Sequence, residues 1–209
     1  IHGINGSGMH TNMSLMKDGK NAFYDSDADL GLSETAMHFI AGLLKNIRGF
    51  TAISNPLVNS YKRLVPGYEA PSYLAWSAAN RSALIRIPAT RGMGTRVELR
   101  CPDPSCNPYL SLAMCLAAGL DGVKNKLTPP KQILTSIFEM SEEELKAHQI
   151  DSLPKNLEEA LDCFEESDLA KETLGEHIYG KYLEAKRKEW DDYKKSVSQW
   201  ELDTYLLRY

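Results

Sequence analysis

The stretch RVELR at residues 96–100, in which charged and apolar residues alternate, most constrains how this chain can fold. Side chains alternate between the two faces of a β-strand. Arg96, Glu98 and Arg100 therefore share one face, and the other face is apolar enough to lie on a core. Because an unpaired buried ion costs several kcal/mol, the charged face must contact water or hold ligands of opposite charge. Taken alone, the stretch is more typical of a solvated strand face with local salt bridges than of a site for anions and a metal ion, because charged faces are common in antiparallel sheets.

The length, composition and net charge of the chain exclude several classes of function. The chain has 209 residues, 43% of them hydrophobic, which is enough for one domain with its own core. A net charge of -4 gives no basic field for nucleic acid or an acidic membrane. No apolar run reaches the roughly 18 residues of a membrane-spanning helix. The start lacks a signal-peptide pattern and an initiator Met, so we expect a piece of a longer protein. The four cysteines lack Cys-x-x-Cys spacing, which predicts free thiols in a reducing cytoplasm.

Polar residues near the N-terminus follow a glycine-containing loop, NGSG at residues 5–8. Such loops permit positive φ and leave backbone N–H groups open to a ligand. His10, Asn12 and Ser14 alternate with apolar residues, which predicts a strand with a polar face. The Asp-Gly pair at 18–19 predicts a hairpin turn into a strand over 21–24. A lone histidine is more often structural, but one that shares a face with Asn12 and Ser14 is a candidate ligand.

Arginines are concentrated between residues 81 and 100, where the only acidic residue is a glutamate: Arg81, Arg86, Arg91, Arg96 and Arg100. The planar donors of arginine suit phosphate and carboxylate, so we expect a polyanionic ligand. Upstream, proline and glycine punctuate a long loop over 55–71 that contains Arg63 and Glu69. Long loops in compact domains are often functional, although ordinary surface charge is the alternative.

Helices account for most of the remaining sequence. Ser33 is expected to cap an amphipathic helix with His38 on its solvated side. Asn107 starts a helix that is apolar nearly all round and is therefore expected to be buried. From about 141 the chain reads as helical and charged, with a last long helix from Gly175. Short strands are expected near 8–16, 21–24, 83–87 and 95–101. The apolar residues within 200–209 would pack on another subunit or on the chain's own core.

Four motifs, in this order, resemble the bacterial type of the glutamine synthetase family: NGSGMH at 5–10, NSYKRLVPGYEAP at 59–71, NRS at 80–82 with RIP at 86–88, and RVELR at 96–100. The match runs nearly end to end and corresponds to the C-terminal half of the family. It implies an α+β fold in which an antiparallel curved sheet is backed by helices. Residues 1–209 would be the C-terminal portion of one catalytic domain. Residues 1–130 would hold the active-site strands, flap and buried helix, and 131–209 a helical C-terminal region.

The resemblance also implies an activity, the ATP-dependent joining of glutamate and ammonium into glutamine through a γ-glutamyl phosphate. Of two divalent metal ions, Mg²⁺ or Mn²⁺, one would be ligated by His10 and Glu98. The ATP-binding residues would be Asn12, Ser14, Arg81, Arg86 and Arg96. The glutamate-binding residues would be Asn5, Gly6, Arg63, Glu69 and Arg100. Glu69, on a flap that takes a proton from ammonium, and Arg81 would be the catalytic residues.

The chain departs from the family pattern at several positions. Asn12 stands where many members have histidine, and no lysine lies between Arg91 and Arg96, where some members have one. Phe138 stands where one branch has a tyrosine that is adenylylated, so we predict that this protein escapes that modification. The family's other metal-ligand glutamates precede this segment, as does an N-terminal domain. We therefore predict that the 209-residue chain alone is inactive.

Two other functions stay open at this point. One is a glutamate–polyamine or other amine ligase of the same superfamily, and the other is a non-catalytic module for assembly or regulation. The resemblance further implies a cytoplasmic enzyme of nitrogen metabolism that forms a homo-oligomeric ring, a dodecamer, with no nucleic-acid or membrane partner.

Overall fold

A computed structural model of the chain describes residues 5–65, 70–148, 150–206 and 208. Within these ranges it has six short strands and six α-helices, as expected for an α+β chain, with the first long helix between the third and fourth strands. The strands are β1 (Thr11–Met13), β2 (Met16–Lys17), β3 (Lys20–Asn21), β4 (Trp76–Ser77), β5 (Ile85–Arg86) and β6 (Val97–Leu99). The helices are α1 (Glu34–Ser54), α2 (Pro108–Lys124), α3 (Glu142–Ala147), α4 (Leu157–Glu165), α5 (Asp168–Tyr193) and α6 (Gln199–Tyr205).

The main sheet has the order β1-β6-β5-β4, with β6 antiparallel to both of its neighbours. The β4–β5 pair is parallel, so the expected antiparallel sheet has one parallel edge. In the register of the sheet, Glu98 lies opposite Asn12 on one side and Arg86 on the other. Because paired residues in a sheet project to the same face, these three polar side chains form one row. The opposite face packs on the core through Val97 and Leu99, which are fully buried.

The β2–β3 hairpin confirms the turn predicted from Asp18 and Gly19. Both residues have positive φ, 51° and 75°, which a two-residue turn of this type requires. The hairpin also fixes the loop that leads into β6. The side-chain amide of Asn21 donates hydrogen bonds to the carbonyl oxygens of Met93, at 3.1 Å, and Thr95, at 2.7 Å. The short strand β3 thus anchors the segment that precedes the charged strand.

Helices α1 and α2 pack against each other at backbone contact. Their N-caps are those predicted, because the side chains of Ser33 and Asn107 accept hydrogen bonds from N–H groups of the first turns. Glycines allow the close approach. A Cβ atom at Gly42 would lie 2.2 Å from the carbonyl oxygen of Ala118, and one at Gly122 would lie 2.0 Å from that of His38. The helix pair supports the sheet from its apolar side.

Two expectations about these helices are wrong. Tyr109, Leu112 and Leu116 on α2 are 83%, 48% and 47% exposed, so α2 is not buried all round. Its small residues, such as Gly119 and Gly122, face α1, and the side that carries Tyr109, Leu112 and Leu116 is open to solvent. His38 is not simply solvated either. It is half-buried, and its Nδ1 donates a hydrogen bond of 2.7 Å to the carbonyl oxygen of Leu127.

The C-terminal part is helical, as expected. Helix α4 contributes fully buried residues to the same core as α1: Leu157, Ala160, Leu161 and Phe164. Within α5 the backbone leaves helical geometry at Gly175, with φ 72°, so the last long helix does begin there. Trp200 and Leu206 near the chain end are exposed. All four cysteines are free. None of the described helices is both long enough and apolar enough to cross a membrane.

Candidate functional site

The site is centred on Glu98, a carboxylate that is only 5% exposed. Its Oε1 lies 2.9 Å from Nδ1 of His10 and 3.7 Å from Nη1 of Arg100. Its Oε2 lies 3.2 Å from Nη1 of Arg86. The pairing of β1, β6 and β5 produces this arrangement, since Arg86 is directly opposite Glu98 and His10 immediately precedes β1. The structure thus brings together the predicted metal ligands and two of the predicted arginines.

The chemistry of His10 and Glu98 fits a divalent cation. Oε2 of Glu98 is buried and has no hydrogen-bond partner, because Arg86 is within ion-pair distance but not in hydrogen-bonding geometry. Its lone pairs are therefore available to a hard cation. Burial lowers the pKa of His10, the charge of Arg100 lowers it further, and Glu98 opposes the shift. The imidazole is thus held in the neutral form that ligates metals.

These two residues are an incomplete cation site. Across residues 5–65, 70–148, 150–206 and 208, no group of three or more His, Cys, Asp or Glu side chains is placed to hold a metal ion. Mg²⁺ prefers about six ligands, several of which can be water or phosphate oxygens. His10 and Glu98 would provide two of them.

Arg63 lies beside this centre and is held by backbone carbonyls. Its Nη1 donates to the carbonyl oxygens of Cys101, at 2.7 Å, and Pro102, at 3.3 Å, and its Nη2 donates to that of Arg100 at 3.1 Å. Burial lowers the pKa of this guanidinium. The negative charge of Asp103 partly opposes this shift, but no carboxylate of the described residues lies within ion-pair distance of Arg63, so its positive charge can bind a further anion.

The NGSG loop packs directly on Arg63. A Cβ atom at Gly6 would lie 3.3 Å from Cδ of Arg63, and one at Gly8 would lie 2.5 Å from Nη2. Asn5 and Gly6, two of the predicted glutamate-binding residues, are exposed at the same place. The glycines are therefore needed here for close approach to a side chain.

Arg100 brings a buried and unpaired donor to the site. It is 8% exposed, and its Nε is buried without a hydrogen-bond partner. Burial lowers its pKa, Glu98 opposes this, and the positive charges of Arg86, Arg81 and Arg63 lower it further. Glu98 is thus within ion-pair distance of two guanidiniums, Arg86 and Arg100, and Arg81 and Arg63 add two more positive charges near Arg100. This excess of positive charge favours a polyanion with several negative oxygens.

The remaining predicted residues lie at the edge of the site. Arg96 donates from Nε to the side-chain oxygen of Asn12 at 2.9 Å, across the β1–β6 pair. Ser14 follows β1 and is exposed. Arg91 is different, because its guanidinium donates to the carbonyl oxygens of Leu30, Pro88 and Thr90. It holds a loop, so only four of the five clustered arginines remain available to an anion. Glu69 lies outside the described residues.

Sequence reasoning missed the residues that hold the site loops. The backbone N–H of Asp103 donates to the carbonyl oxygen of Ser54 at 2.9 Å, which joins the end of α1 to the segment beneath Arg63. Its carboxylate accepts from the N–H and hydroxyl of Ser105, at 2.8 and 2.7 Å. An aspartate two residues before a serine is the usual signal of such a turn. Asn80 and Ser82, on either side of Arg81, were also missed as loop anchors.

Comparison with known proteins shows which family this chain resembles in sequence. A family model described as glutamine synthetase, catalytic domain, matches residues 1–205. The glutamine synthetase of Clostridium saccharobutylicum is 64% identical over 209 residues, which are 100% of this chain and 47% of that protein. That of Thermus thermophilus is 60% identical with the same coverage. The chain thus spans about half the length of the curated relatives it matches.

Solved structures agree with the sequence comparison. A structure titled "GmaS/ADP complex-Conformation 1" has a TM-score of 0.84 and 37% sequence identity, and covers 96% of this chain and 46% of that one. A second, "Apo GmaS without ligand", has a TM-score of 0.81 and 36% identity. The fold expected from the resemblance is therefore confirmed.

Proposed function

Because the chain belongs to the glutamine synthetase catalytic-domain family, we propose that it supplies part of an active site that makes glutamine from glutamate, ammonium and ATP. The reaction would pass through a γ-glutamyl phosphate. The observation that carries the proposal is the buried Glu98, which contacts His10 at 2.9 Å and lies among arginines. Such a centre suits a cation and a phosphate chain together. The neighbour whose title names ADP supports a nucleotide as the polyanion.

The arginines divide between two anionic ligands. Arg63 and Arg100 would bind the carboxylates of glutamate, in a pocket that Asn5 and Gly6 complete. Arg81, Arg86 and Arg96 would bind the phosphates of ATP, with Asn12 and Ser14 alongside the nucleotide. Transfer of the γ-phosphoryl group spreads negative charge over its oxygens, and fixed guanidiniums stabilise that charge. The fixed donors of Arg63 and the buried Arg100 support this division.

His10 and Glu98 would ligate one of two divalent ions, Mg²⁺ or Mn²⁺. When bound, such an ion neutralises phosphate charge during transfer. The neutral imidazole and the free lone pairs of Glu98 Oε2 support this assignment. The remaining ligands would come from other parts of a longer protein, which is consistent with the 47% coverage of the relatives. We therefore propose that residues 1–209 alone are inactive.

Two tasks are left for the flap that contains Glu69. An acyl phosphate hydrolyses readily, so water must be excluded until ammonia attacks. Ammonium itself is not nucleophilic, and a carboxylate can bind it and accept its proton. We assign both tasks to the flap from the family resemblance. Relatives named glutamine synthetase at 60–64% identity favour ammonium over a polyamine as the nitrogen donor. A cytoplasmic homo-oligomeric ring is proposed on the same basis.

The proposal is tested by completing the enzyme. Residues 1–209 are fused behind the first half of the Clostridium saccharobutylicum relative, in place of the matching 47%. We expect glutamine formation that depends on ATP, ammonium and Mg²⁺ or Mn²⁺, and none from residues 1–209 alone. Glu98→Gln should weaken metal binding and turnover, and Arg63→Ala should mainly raise KM for glutamate. A folded but inactive fusion would refute the proposed reaction, and glutamine made by the chain alone would refute the need for a missing part.

A further inference from the structure

One segment of the chain runs alongside residues 76–82, the stretch that contains Arg81. This strap, residues 130–137, follows residues 76–82. The carbonyl oxygen of Pro130 accepts from the indole N–H of Trp76 at 2.7 Å, and Ile133 donates its backbone N–H to the carbonyl oxygen of Trp76 at 3.1 Å. Gln132 accepts from the backbone N–H of Ala78 at 3.2 Å. These bonds fix the strap to β4 and to the residues that follow it.

The two residues that flank Arg81 are tied to the strap and to each other. Asn80 donates from its side-chain amide to the carbonyl oxygen of Thr135, and its Oδ1 accepts from the N–H and hydroxyl of Ser82 at 2.8 and 2.7 Å. The Ser82 hydroxyl in turn accepts from the backbone N–H of Ile137 at 3.1 Å. Ser82 is 7% exposed and Ile137 is fully buried. The backbone on both sides of Arg81 is therefore fixed by a closed hydrogen-bond network.

Arg81 itself is exposed and makes no hydrogen bond to another described residue. It is close enough to Arg100 to affect the ionisation of that guanidinium. Like charges repel, so a flexible backbone would let Arg81 move away from Arg100 into water. A fixed backbone limits that movement and reduces the entropy lost when an anion binds.

We propose that Asn80 and Ser82 are positioning residues for Arg81, with the strap as their support. The inference rests on the proposed function, in which Arg81 binds ATP and the transferring phosphoryl group. It goes beyond that function by assigning the orientation of Arg81 to two side chains that are not among the residues proposed to bind ATP or glutamate.

The test uses the fused full-length enzyme and a double-mutant cycle. Ser82→Ala should lower kcat/KM for ATP about tenfold, the factor that one lost hydrogen bond supports, with KM for glutamate unchanged. Ser82→Thr keeps the hydroxyl and should recover most of the activity. In an Arg81→Ala background, Ser82→Ala should have no further effect, because the residue that it positions is gone. Asn80→Ala should behave like Ser82→Ala and serves if that variant fails to fold.

Matched controls separate positioning from general stability. Thr135 accepts the hydrogen bond of Asn80 through its backbone carbonyl, which Thr135→Ala keeps. This variant should therefore leave kcat/KM for ATP unchanged. Equal losses from Ser82→Ala with and without Arg81 would refute positioning while leaving the proposed function intact. If Arg81→Ala retained full activity, the nucleotide role of Arg81 would be refuted and the positioning inference with it.

Discussion

The side-chain oxygen of Asn12 accepts a hydrogen bond of 2.9 Å from Nε of Arg96, across the β1–β6 pair. Arg96 also donates from Nη1 to the carbonyl oxygen of Gly94 at 3.1 Å, so its guanidinium is held from two sides. In the fused enzyme, Asn12→Leu should raise KM for ATP severalfold, because the net contribution of a solvent-exposed hydrogen bond is about 0.5–1.5 kcal/mol. Steady-state kinetics with ATP varied measures this.

A histidine at the same position makes a sharper test of the Asn12–Arg96 contact. Neutral imidazole can accept from Arg96, but imidazolium cannot and repels it. Asn12→His should therefore bind ATP normally above the usual histidine pKa of about 6.5 and more weakly below it. The parent enzyme should lack this additional pH dependence. An Asn12→His enzyme whose KM for ATP follows the parent at every pH would show that the contact does not matter for nucleotide binding.

Gly8 is predicted to control the position of Arg63. A Cβ atom at Gly8 would lie 2.5 Å from Nη2, and the guanidinium cannot move without weakening its bonds to the carbonyls of 100–102. Gly8→Ala in the fused enzyme should raise KM for glutamate about tenfold or more, with KM for ATP little changed. Gly180→Ala, at a helical position with open space around it, is the matched control and should change neither. If Gly8→Ala raised KM for ATP as much as KM for glutamate, the specific role of Gly8 in positioning Arg63 would be contradicted.

The local structure of this chain was largely predictable from its sequence. The Asp18-Gly19 turn and the caps at Ser33 and Asn107 depend on short-range chemistry, and each is found where expected. The alternation over 96–100 likewise predicted which residues of β6 face the core. Such signals involve neighbours in sequence, so they can be recognised without knowledge of the fold.

Long-range contacts were less predictable. The sequence does not say that Arg91 would hold backbone carbonyls, whereas Arg86 would lie opposite Glu98. Both are arginines in similar local contexts, and only sheet register distinguishes them. The exposed side of α2 was missed for a related reason. An apolar helix is predicted to be buried, but the sequence does not show which other elements pack against it. The network around Asn80 depends on a strap residue, Thr135, that is 55 positions away in sequence.

Glu98 is predicted to stabilise the fold as well as to bind metal. Glu98→Gln removes the carboxylate between Arg86 and the buried Arg100, which leaves those guanidiniums facing each other unpaired. We expect the free energy of unfolding of the 209-residue chain to fall by about 3 kcal/mol. Urea denaturation followed by circular dichroism measures this. Glu184→Gln, which breaks an exposed pair with Lys181, is the control and should have no measurable effect. Equal stability of the Glu98→Gln variant and the parent would contradict the prediction.

Asp103 is expected to make stability depend on pH in the acid range. Burial raises the pKa of its carboxyl, but hydrogen bonds from Ser105 and Ser60 and the charge of Arg63 together outweigh this and hold the pKa below its usual value of 3.8. Because the folded-state pKa is lower than the unfolded-state pKa, the ionised carboxylate stabilises the fold fully at pH values above the unfolded-state pKa. This stabilisation is lost as the pH falls through the folded-state pKa. The stability difference between the parent chain and Asp103→Asn should be constant near neutral pH and shrink below 3.8. Urea midpoints measured down to about pH 3 test this, and a difference that stays constant would refute it.

The contact between α1 and α2 is predicted to be the least tolerant of added volume. A Cβ atom at Gly122 would lie 2.0 Å from the carbonyl oxygen of His38 and 2.6 Å from the backbone nitrogen of Gly42. Both are backbone atoms, so only a separation of the helices can relieve the overlap. Gly122→Ala should therefore lower the free energy of unfolding by about 2 kcal/mol or more, despite the higher helix propensity of alanine. Gly180→Ala should raise it slightly, since its Cβ meets nothing within 4 Å. If thermal denaturation showed both variants to be stabilised, α1 and α2 would not approach each other this closely.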